Sequence, residues 1–106
     1  MTESADYDYS IRKIYETNYT KSAAIDYARH GIRVNAIAPG SIDTPMLRNA
    51  MERRGREESD VLKRLSLIGR FGTVDEIANA TLWLSSDEST FTIGHVLAVD
   101  CGYLAR

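Results

Sequence analysis

Cysteine, proline and tryptophan are scarce in this 106-residue sequence, which contains one cysteine, two prolines and one tryptophan. The single cysteine, Cys101, has neither a disulfide partner nor a companion at metal-ligand spacing, so we predict no metal site and a reducing, cytoplasmic location. No apolar run approaches the roughly 20 residues that a membrane-spanning helix needs. Positive charge is not in excess, because 13 Lys and Arg residues face 15 Asp and Glu residues. We therefore expect neither a membrane nor a nucleic acid as a partner.

The hydrophobic residues that are present, 43% of the chain, suffice for one small domain. Its first predicted element is a helix, because residues from about Ser10 to His30 contain few helix-breaking residues. Within it, Lys21 to Arg29 is rich in helix formers. Gly31 is expected to end this helix, since glycine readily adopts the left-handed conformation that closes helices.

A strand and an insertion are predicted next. The segment from Ile32 to Ala38 is short and rich in apolar residues, and it ends at a Pro-Gly pair. This pattern is typical of a strand that runs into a loop. From Ser41 to about Leu67 the sequence predicts a surface insertion with two short helices, at Pro45 to Arg53 and Glu57 to Leu65.

A last helix and strand complete the chain. Thr73 and Glu76 have the spacing of a capping box, in which each side chain satisfies a free backbone donor at a helix start, and the helix should reach about Ser85. A final strand is predicted at His95 to Asp100. Two strands joined through a helix should be parallel with a right-handed connection. Because parallel sheets are normally covered on both faces, a sheet with so few helices predicts an incomplete fold.

Several short motifs occur in a defined order along the chain. They are Lys21-Ser22-Ala23-Ala24, His30 to Gly40, Ile42-Asp43-Thr44-Pro45, Gly69-Arg70-Phe71-Gly72, Asp75-Glu76-Ile77-Ala78, Leu82 to Ser86, Thr92 with Gly94, and Val99-Asp100-Cys101-Gly102. Their joint order and spacing, over about Thr20 to Arg106, resemble the C-terminal part of a short-chain dehydrogenase/reductase.

This resemblance implies an α/β fold with a partial, Rossmann-like, doubly wound parallel sheet, in the order helix, strand, lid insertion, helix, strand. Residues 1–106 are then interpreted as a single partial domain. Residues 1–19 form an N-terminal helical segment of uncertain correspondence, and residues 20–106 are the family's C-terminal portion. The lid is expected at about residues 45–67.

The implied activity is hydride transfer between NAD(P)H and a carbonyl or alcohol. In this family a tyrosine hydroxyl exchanges a proton with the substrate oxygen, while a lysine four residues later lowers the pKa of the tyrosine. One helical turn separates the two residues, so both can face the same site. Tyr9 and Lys13 have this spacing, and they precede Lys21 at the distance expected for the family. They are therefore the candidate catalytic pair.

The neighbours of this pair leave two alternatives open. Bulky residues such as Ile11 and Tyr15 stand where the family usually has small ones. Residues 6–20 also resemble an earlier family helix that contributes a structural asparagine, which would be Asn18 here and is counted among the candidate cofactor-site residues. In that alternative the catalytic tyrosine, lysine and preceding serine have been lost by an internal deletion near Thr20. In the other alternative, Tyr9 and Lys13 are an exposed pair on a helix surface.

The loop after the first strand is the candidate cofactor element. By the resemblance, Pro39 and Gly40 turn the chain, the backbone of Ile42 binds the nicotinamide carboxamide of NAD or NADP, and Thr44 hydrogen-bonds the carboxamide or a phosphate. Open α/β sheets place ligands at such strand ends. The alternative is an ordinary turn.

The family's glycine-rich turn, which holds the pyrophosphate at a helix N-terminus, has no counterpart in this sequence. We therefore expect neither independent binding of NAD or NADP nor turnover by this chain alone. A second hypothesis is a noncatalytic module that forms homo-oligomers or associates with a full-length relative. Uncovered sheet edges and apolar helix faces favour such partners.

Overall fold

The computed structural model describes residues 17–105. Within this range the chain forms two compact units. The first comprises residues 17–36 and 87–97, and the second comprises residues 37–86 and 98–105. No helix in this range is long and apolar enough to cross a membrane.

The elements follow the order that the sequence predicts. They are α1 at residues 17–28, β1 at Ala36–Pro39, α2 at Pro45–Arg53, α3 at Glu58–Leu65, α4 at Val74–Ser85 and β2 at Val96–Val99. Short 3₁₀ helices occupy Asp87–Ser89 and Tyr103–Ala105. The two helices of the insertion and the extent of the last helix are thereby confirmed.

The strands β1 and β2 are hydrogen-bonded neighbours in a two-stranded sheet. The amide of Ala36 donates to the carbonyl of His95 at 2.9 Å, and the amide of Gly40 donates to the carbonyl of Val99 at 3.0 Å. Because the partners advance in the same direction along both strands, the sheet is parallel. No residue of either strand is fully buried. The α/β class and the incompletely covered parallel sheet are confirmed.

The helix α1 ends where glycine is expected to end it. The amides of His30 and Gly31 donate to the carbonyls of Tyr27 and Ala28, and Gly31 has a φ of 74°. A residue with a side chain adopts this conformation at a cost, whereas glycine adopts it freely. The predicted stop at Gly31 is confirmed.

Side-chain hydrogen bonds from the loop before β1 hold the first unit together. The guanidinium of Arg33 donates to the carbonyls of Ser89 at 2.9 Å and Thr92 at 3.2 Å. The Asn35 side chain donates to the carbonyl of Thr92 at 2.9 Å and accepts from the amide of His95 at 2.9 Å. Together with one backbone bond, from the amide of Gly94 to the carbonyl of Val34 at 2.9 Å, these side-chain bonds hold the segment before the regular ladder, which begins at Ala36. The predicted start at Ile32 is wrong.

The second unit has a small apolar core between the two helices of the insertion and the segment that follows them. Met51 on α2, Val61 on α3 and Phe71 are buried together. Partly buried leucines pack against them, namely Leu47, Leu62 and Leu65. Burying a side chain of this size stabilises the fold by roughly 1.5–3 kcal/mol. The insertion is therefore an ordered helical pair that packs against the chain beside β1.

The helix α4 begins at the predicted capping box. The Thr73 hydroxyl accepts a hydrogen bond from the amide of Glu76 at 3.1 Å, and the Glu76 carboxylate accepts one from the amide of Thr73 at 2.9 Å. Each side chain thereby satisfies a backbone donor that the first helical turn leaves unpaired.

Candidate functional site

The chain leaves β1 through a close backbone approach at Gly40. A Cβ atom at this position would lie 2.7 Å from the Cα of Asp100 and 3.0 Å from its carbonyl oxygen. The amide of Gly40 donates to the carbonyl of Val99 at 3.0 Å. Only glycine fits this approach without a shift of the backbone, and it directs the loop past the end of β2.

The backbone of Ile42 is aligned by a parallel bridge to Gly72. The two bonds of this bridge are made by the residues on either side of Ile42. The amide of Asp43 donates to the carbonyl of Gly72 at 2.9 Å, and the amide of Gly72 donates to the carbonyl of Ser41 at 3.0 Å. The N–H and C=O of Ile42 therefore point away from Gly72, and within residues 17–105 neither has a hydrogen-bond partner. One donor and one acceptor are thus presented side by side.

Thr44 links this loop to α2. It is the N-cap of α2, and its hydroxyl oxygen accepts a hydrogen bond from the amide of Leu47 at 3.2 Å. Accepting this bond leaves the hydroxyl hydrogen able to donate to a ligand. The capping role of Thr44 is compatible with the predicted ligand contact.

Arg48 joins the loop to both helices of the insertion. Its Nε and Nη2 atoms donate to the two carboxylate oxygens of Asp43 at 2.9 and 3.0 Å. Its Nη1 atom donates to Glu58 on α3 at 2.8 Å, and its guanidinium lies 5.2 Å from the ring centroid of Phe71. The hydrogen bond from Arg48 lowers the pKa of the Asp43 carboxyl, and the two carboxylates raise the pKa of Arg48. We call this arrangement the Arg48 clasp.

Arg48 is not among the predicted site residues, although the sequence contains one signal for it. Arg48 lies in the first turn of α2, which has no acidic residue, and the positive end of a helix dipole disfavours a cation there. A cation in such a position indicates carboxylate partners nearby. Asp43, five residues earlier, lies outside the helix, so helical spacing alone does not identify it.

A second polar cluster surrounds Cys101, which has a φ of 57°. Its Sγ atom lies 3.0 Å from the Ser66 hydroxyl, and this hydrogen bond lowers the pKa of the thiol. Arg70 pairs with Glu76 at 2.8 Å, which raises the pKa of Arg70 and lowers that of Glu76 to about 2. This φ lies in the left-handed region, which glycine adopts more readily than cysteine. In the described part of the chain, no three His, Cys, Asp or Glu side chains are grouped to hold a metal.

The predicted site residues are distributed unequally over the structure. Pro39 is the last residue of β1, Gly40 and Ile42 lie in the segment that follows it, and Thr44 is the N-cap of α2, all in the second unit. Asn18 lies exposed in α1 of the first unit. Tyr9 and Lys13, like most of the segment 1–19, lie outside the described residues. Their catalytic assignment therefore stays a prediction.

Two features define this chain as part of a doubly wound α/β protein. One is the parallel crossover with a helical insertion after the first strand, and the other is the loop that presents backbone groups at the strand end. A family model described as enoyl-(acyl carrier protein) reductase matches residues 2–104. The short-chain dehydrogenase/reductase astE of Aspergillus oryzae is 43% identical over 86 residues, which are 81% of this chain and 33% of that protein. The chain belongs to the short-chain dehydrogenase/reductase family.

Solved structures show the same relationship. A short-chain dehydrogenase family protein from Francisella tularensis superposes with a TM-score of 0.82 at 32% identity, over 92% of this chain and 43% of that one. ElxO, solved with NADP bound, superposes with a TM-score of 0.75 at 32% identity, over 85% of this chain and 36% of that one. The chain thus spans less than half the length of the relatives that it matches.

Proposed function

We propose that this chain supplies the nicotinamide-binding loop and lid of a cytoplasmic, NAD(P)-dependent oxidoreductase that interconverts an alcohol and a carbonyl compound. Residues 40–44, directly after β1, form the loop, and α2 with α3 form the lid. By itself the chain is expected to bind the dinucleotide weakly and to show no turnover.

The backbone of Ile42 is the observation that carries this proposal. A carboxamide has one carbonyl acceptor and an amino donor, which match the outward N–H and C=O of Ile42. The Thr44 hydroxyl can add a further bond from two residues away. These groups fit the nicotinamide end of NAD or NADP. When bound, the nicotinamide ring donates or accepts the hydride.

The same residues explain the expected weakness of binding. They contact only the carboxamide end, and no glycine-rich turn for the pyrophosphate occurs in the sequence. A few neutral hydrogen bonds contribute about 0.5–1.5 kcal/mol each, which is too little to hold a flexible dinucleotide tightly.

A titration of the isotopically labelled chain by NMR tests this proposal. Nicotinamide mononucleotide is expected to change the amide signals of Ile42 and Thr44, whereas adenosine monophosphate at the same concentration is not. Signals that move equally with both nucleotides, or with neither, would contradict the assignment. Tight, stoichiometric capture of NADH would contradict the expected weakness.

Tyr9 and Lys13 are the proposed proton-transfer pair if the chain does catalyse the reaction. A tyrosine whose pKa is lowered by a lysine one helical turn away can exchange a proton with the substrate oxygen. Oxidation of NADPH with a panel of ketones, abolished by Tyr9→Phe, would support this pair and overturn the proposed lack of turnover. Asn18 is the proposed structural asparagine in the alternative correspondence.

A second candidate function is a noncatalytic module that pairs with copies of itself or with a full-length relative. Exposed large apolar side chains on both units favour it, among them Ile25 at 77% exposure and Leu82 at 68%. Apolar surface of this kind is commonly covered by a partner. A monomer that unfolds cooperatively, observed by analytical ultracentrifugation and urea denaturation, would count against this function.

A further inference from the structure

The Arg48 clasp concentrates four charge-assisted hydrogen bonds on one side chain. Two go to Asp43, next to Ile42, and two go to Glu58, at 2.8 and 3.5 Å. A guanidinium has a rigid fork of donors that fits two carboxylates at once, which the ammonium of lysine cannot reproduce. The buried ring of Phe71 forms the floor beneath it. The loop, α2, α3 and the segment that carries Gly72 therefore meet at a single residue.

We propose that Arg48 is a positioning residue that holds the backbone of Ile42 in its outward orientation and couples that orientation to the lid. The name of the bound group, the nicotinamide carboxamide, rests on the function proposed above. The positioning itself rests only on the contacts of the second unit.

Asp43 is the point at which the clasp acts on Ile42. Its amide is bonded to the carbonyl of Gly72, and its carboxylate is bonded at both oxygens to Arg48. Gly72 thus holds the backbone of Asp43, and Arg48 holds its side chain. Because the peptide group between Ile42 and Asp43 contains the carbonyl of Ile42, fixing Asp43 fixes that acceptor as well.

Glu58 extends the effect to the lid. It lies in the first turn of α3, where a carboxylate also favours the positive end of the helix. Through Arg48 this residue connects the start of α3 to Asp43, which lies just before the N-cap of α2. A displacement of either lid helix therefore strains the bonds that orient Ile42.

Amide hydrogen exchange of the full chain tests the positioning role. The amides of Asp43 and Gly72 form the bridge beside Ile42, and their exchange reports its local opening. In Arg48→Gln both are expected to exchange about 5-fold faster, a size typical of a network of exposed ion pairs. The amides of Gly40 and Glu76, which lie outside the clasp, are expected to keep their rates. Equal acceleration at all four amides, or none at Asp43 and Gly72, would overturn the proposal.

Arg53→Gln is the matched control, because Arg53 is a basic residue on the same helix that makes no ion pair within residues 17–105. It is expected to leave the exchange of Asp43 unchanged. Arg48→Lys keeps the charge but not the fork, so it is expected to resemble Arg48→Gln, and wild-type exchange in this variant would overturn the proposed geometry. High salt should accelerate the exchange of Asp43 in the wild type but not in Arg48→Gln, since only the former has ion pairs to screen.

Nicotinamide mononucleotide then connects the clasp to the site. If the wild type binds it at Ile42, Arg48→Gln is expected to weaken binding about 5-fold, in proportion to the lost protection of Asp43. Undiminished binding by Arg48→Gln would overturn the coupling. If the wild type does not bind it, the proposed function fails, and hydrogen exchange alone decides whether Arg48 holds the loop.

Discussion

Gly40 and Gly72 flank the candidate loop, and both are crowded, but by different kinds of atom. A side chain at Gly40 would meet the backbone of Asp100, whereas one at Gly72 would meet the Cδ1 atom of Ile42, also at 2.7 Å. A backbone atom cannot move without displacing β2, while the tip of an isoleucine can rotate away. The same Cβ contact distance therefore predicts a larger loss of stability for a substitution at Gly40 than for one at Gly72.

Gly40→Ala is predicted to destabilise the chain by about 1–3 kcal/mol, because overpacking against backbone outweighs the smaller entropy that alanine has in the unfolded chain. Gly72→Ala should cost clearly less. Urea denaturation of the two variants measures the difference in the free energy of unfolding. Equal losses in both, or a stable Gly40→Ala, would show that β2 can yield at Asp100.

At the scale of elements, α4 shows how one helix start combines local and tertiary bonds. The capping box satisfies the first backbone donors, and Arg70 adds an ion pair to the same Glu76 carboxylate, with bonds of 2.8 and 3.0 Å. Arg70, the largest cause, and the amide of Thr73 together lower the pKa of Glu76 from 4.5 to about 2. The folded state therefore holds this carboxylate in its charged form.

Glu76→Gln should make the stability of the chain less dependent on pH. A lowered pKa in the folded state contributes stability above the unfolded value near 4.5, and this contribution is lost as the pH falls towards 2. The difference in unfolding free energy between wild type and variant should thus be constant at neutral pH, shrink below about pH 4.5 and be smallest below pH 2. Urea denaturation at several pH values measures it. Asp75→Asn, in the same helical turn but without an ion pair in the described chain, is the control and should not reproduce this profile.

Features set by neighbouring residues could be predicted from the sequence, whereas element boundaries and side-chain contacts that depend on distant partners could not. Thr73 with Glu76 and the stop at Gly31 are local patterns, and both occur as predicted. The start of β1 depends on Asn35, whose side chain bonds to Thr92, 57 residues away. Likewise, the Pro-Gly loop could be identified from its motif, but the Arg48 clasp depends on the packing of α3 against α2.

On the scale of the whole molecule, exposed apolar surface is the dominant feature. Phe91 is 101% exposed and Met46 is 79% exposed, and no strand residue of the sheet is fully buried. In water this surface favours association, because burying apolar area gains about 25 cal/mol per Å². The core of the second unit contains only three buried residues, so much apolar surface stays available for association.

Phe91→Ser is predicted to weaken self-association by roughly 10- to 150-fold, since a buried phenylalanine contributes roughly 1.5–3 kcal/mol. The far-ultraviolet circular dichroism of the variant should match that of the wild type, because the ring is fully exposed in the chain. Sedimentation velocity over a range of concentrations measures the association. Thr90→Ser, at the neighbouring exposed position, is the matched control and should associate as the wild type does. A wild type that remains monomeric at all concentrations would contradict the second candidate function. A Phe91→Ser variant that associates as well as the wild type would show that Phe91, the most exposed large apolar residue described, does not contribute to the contact.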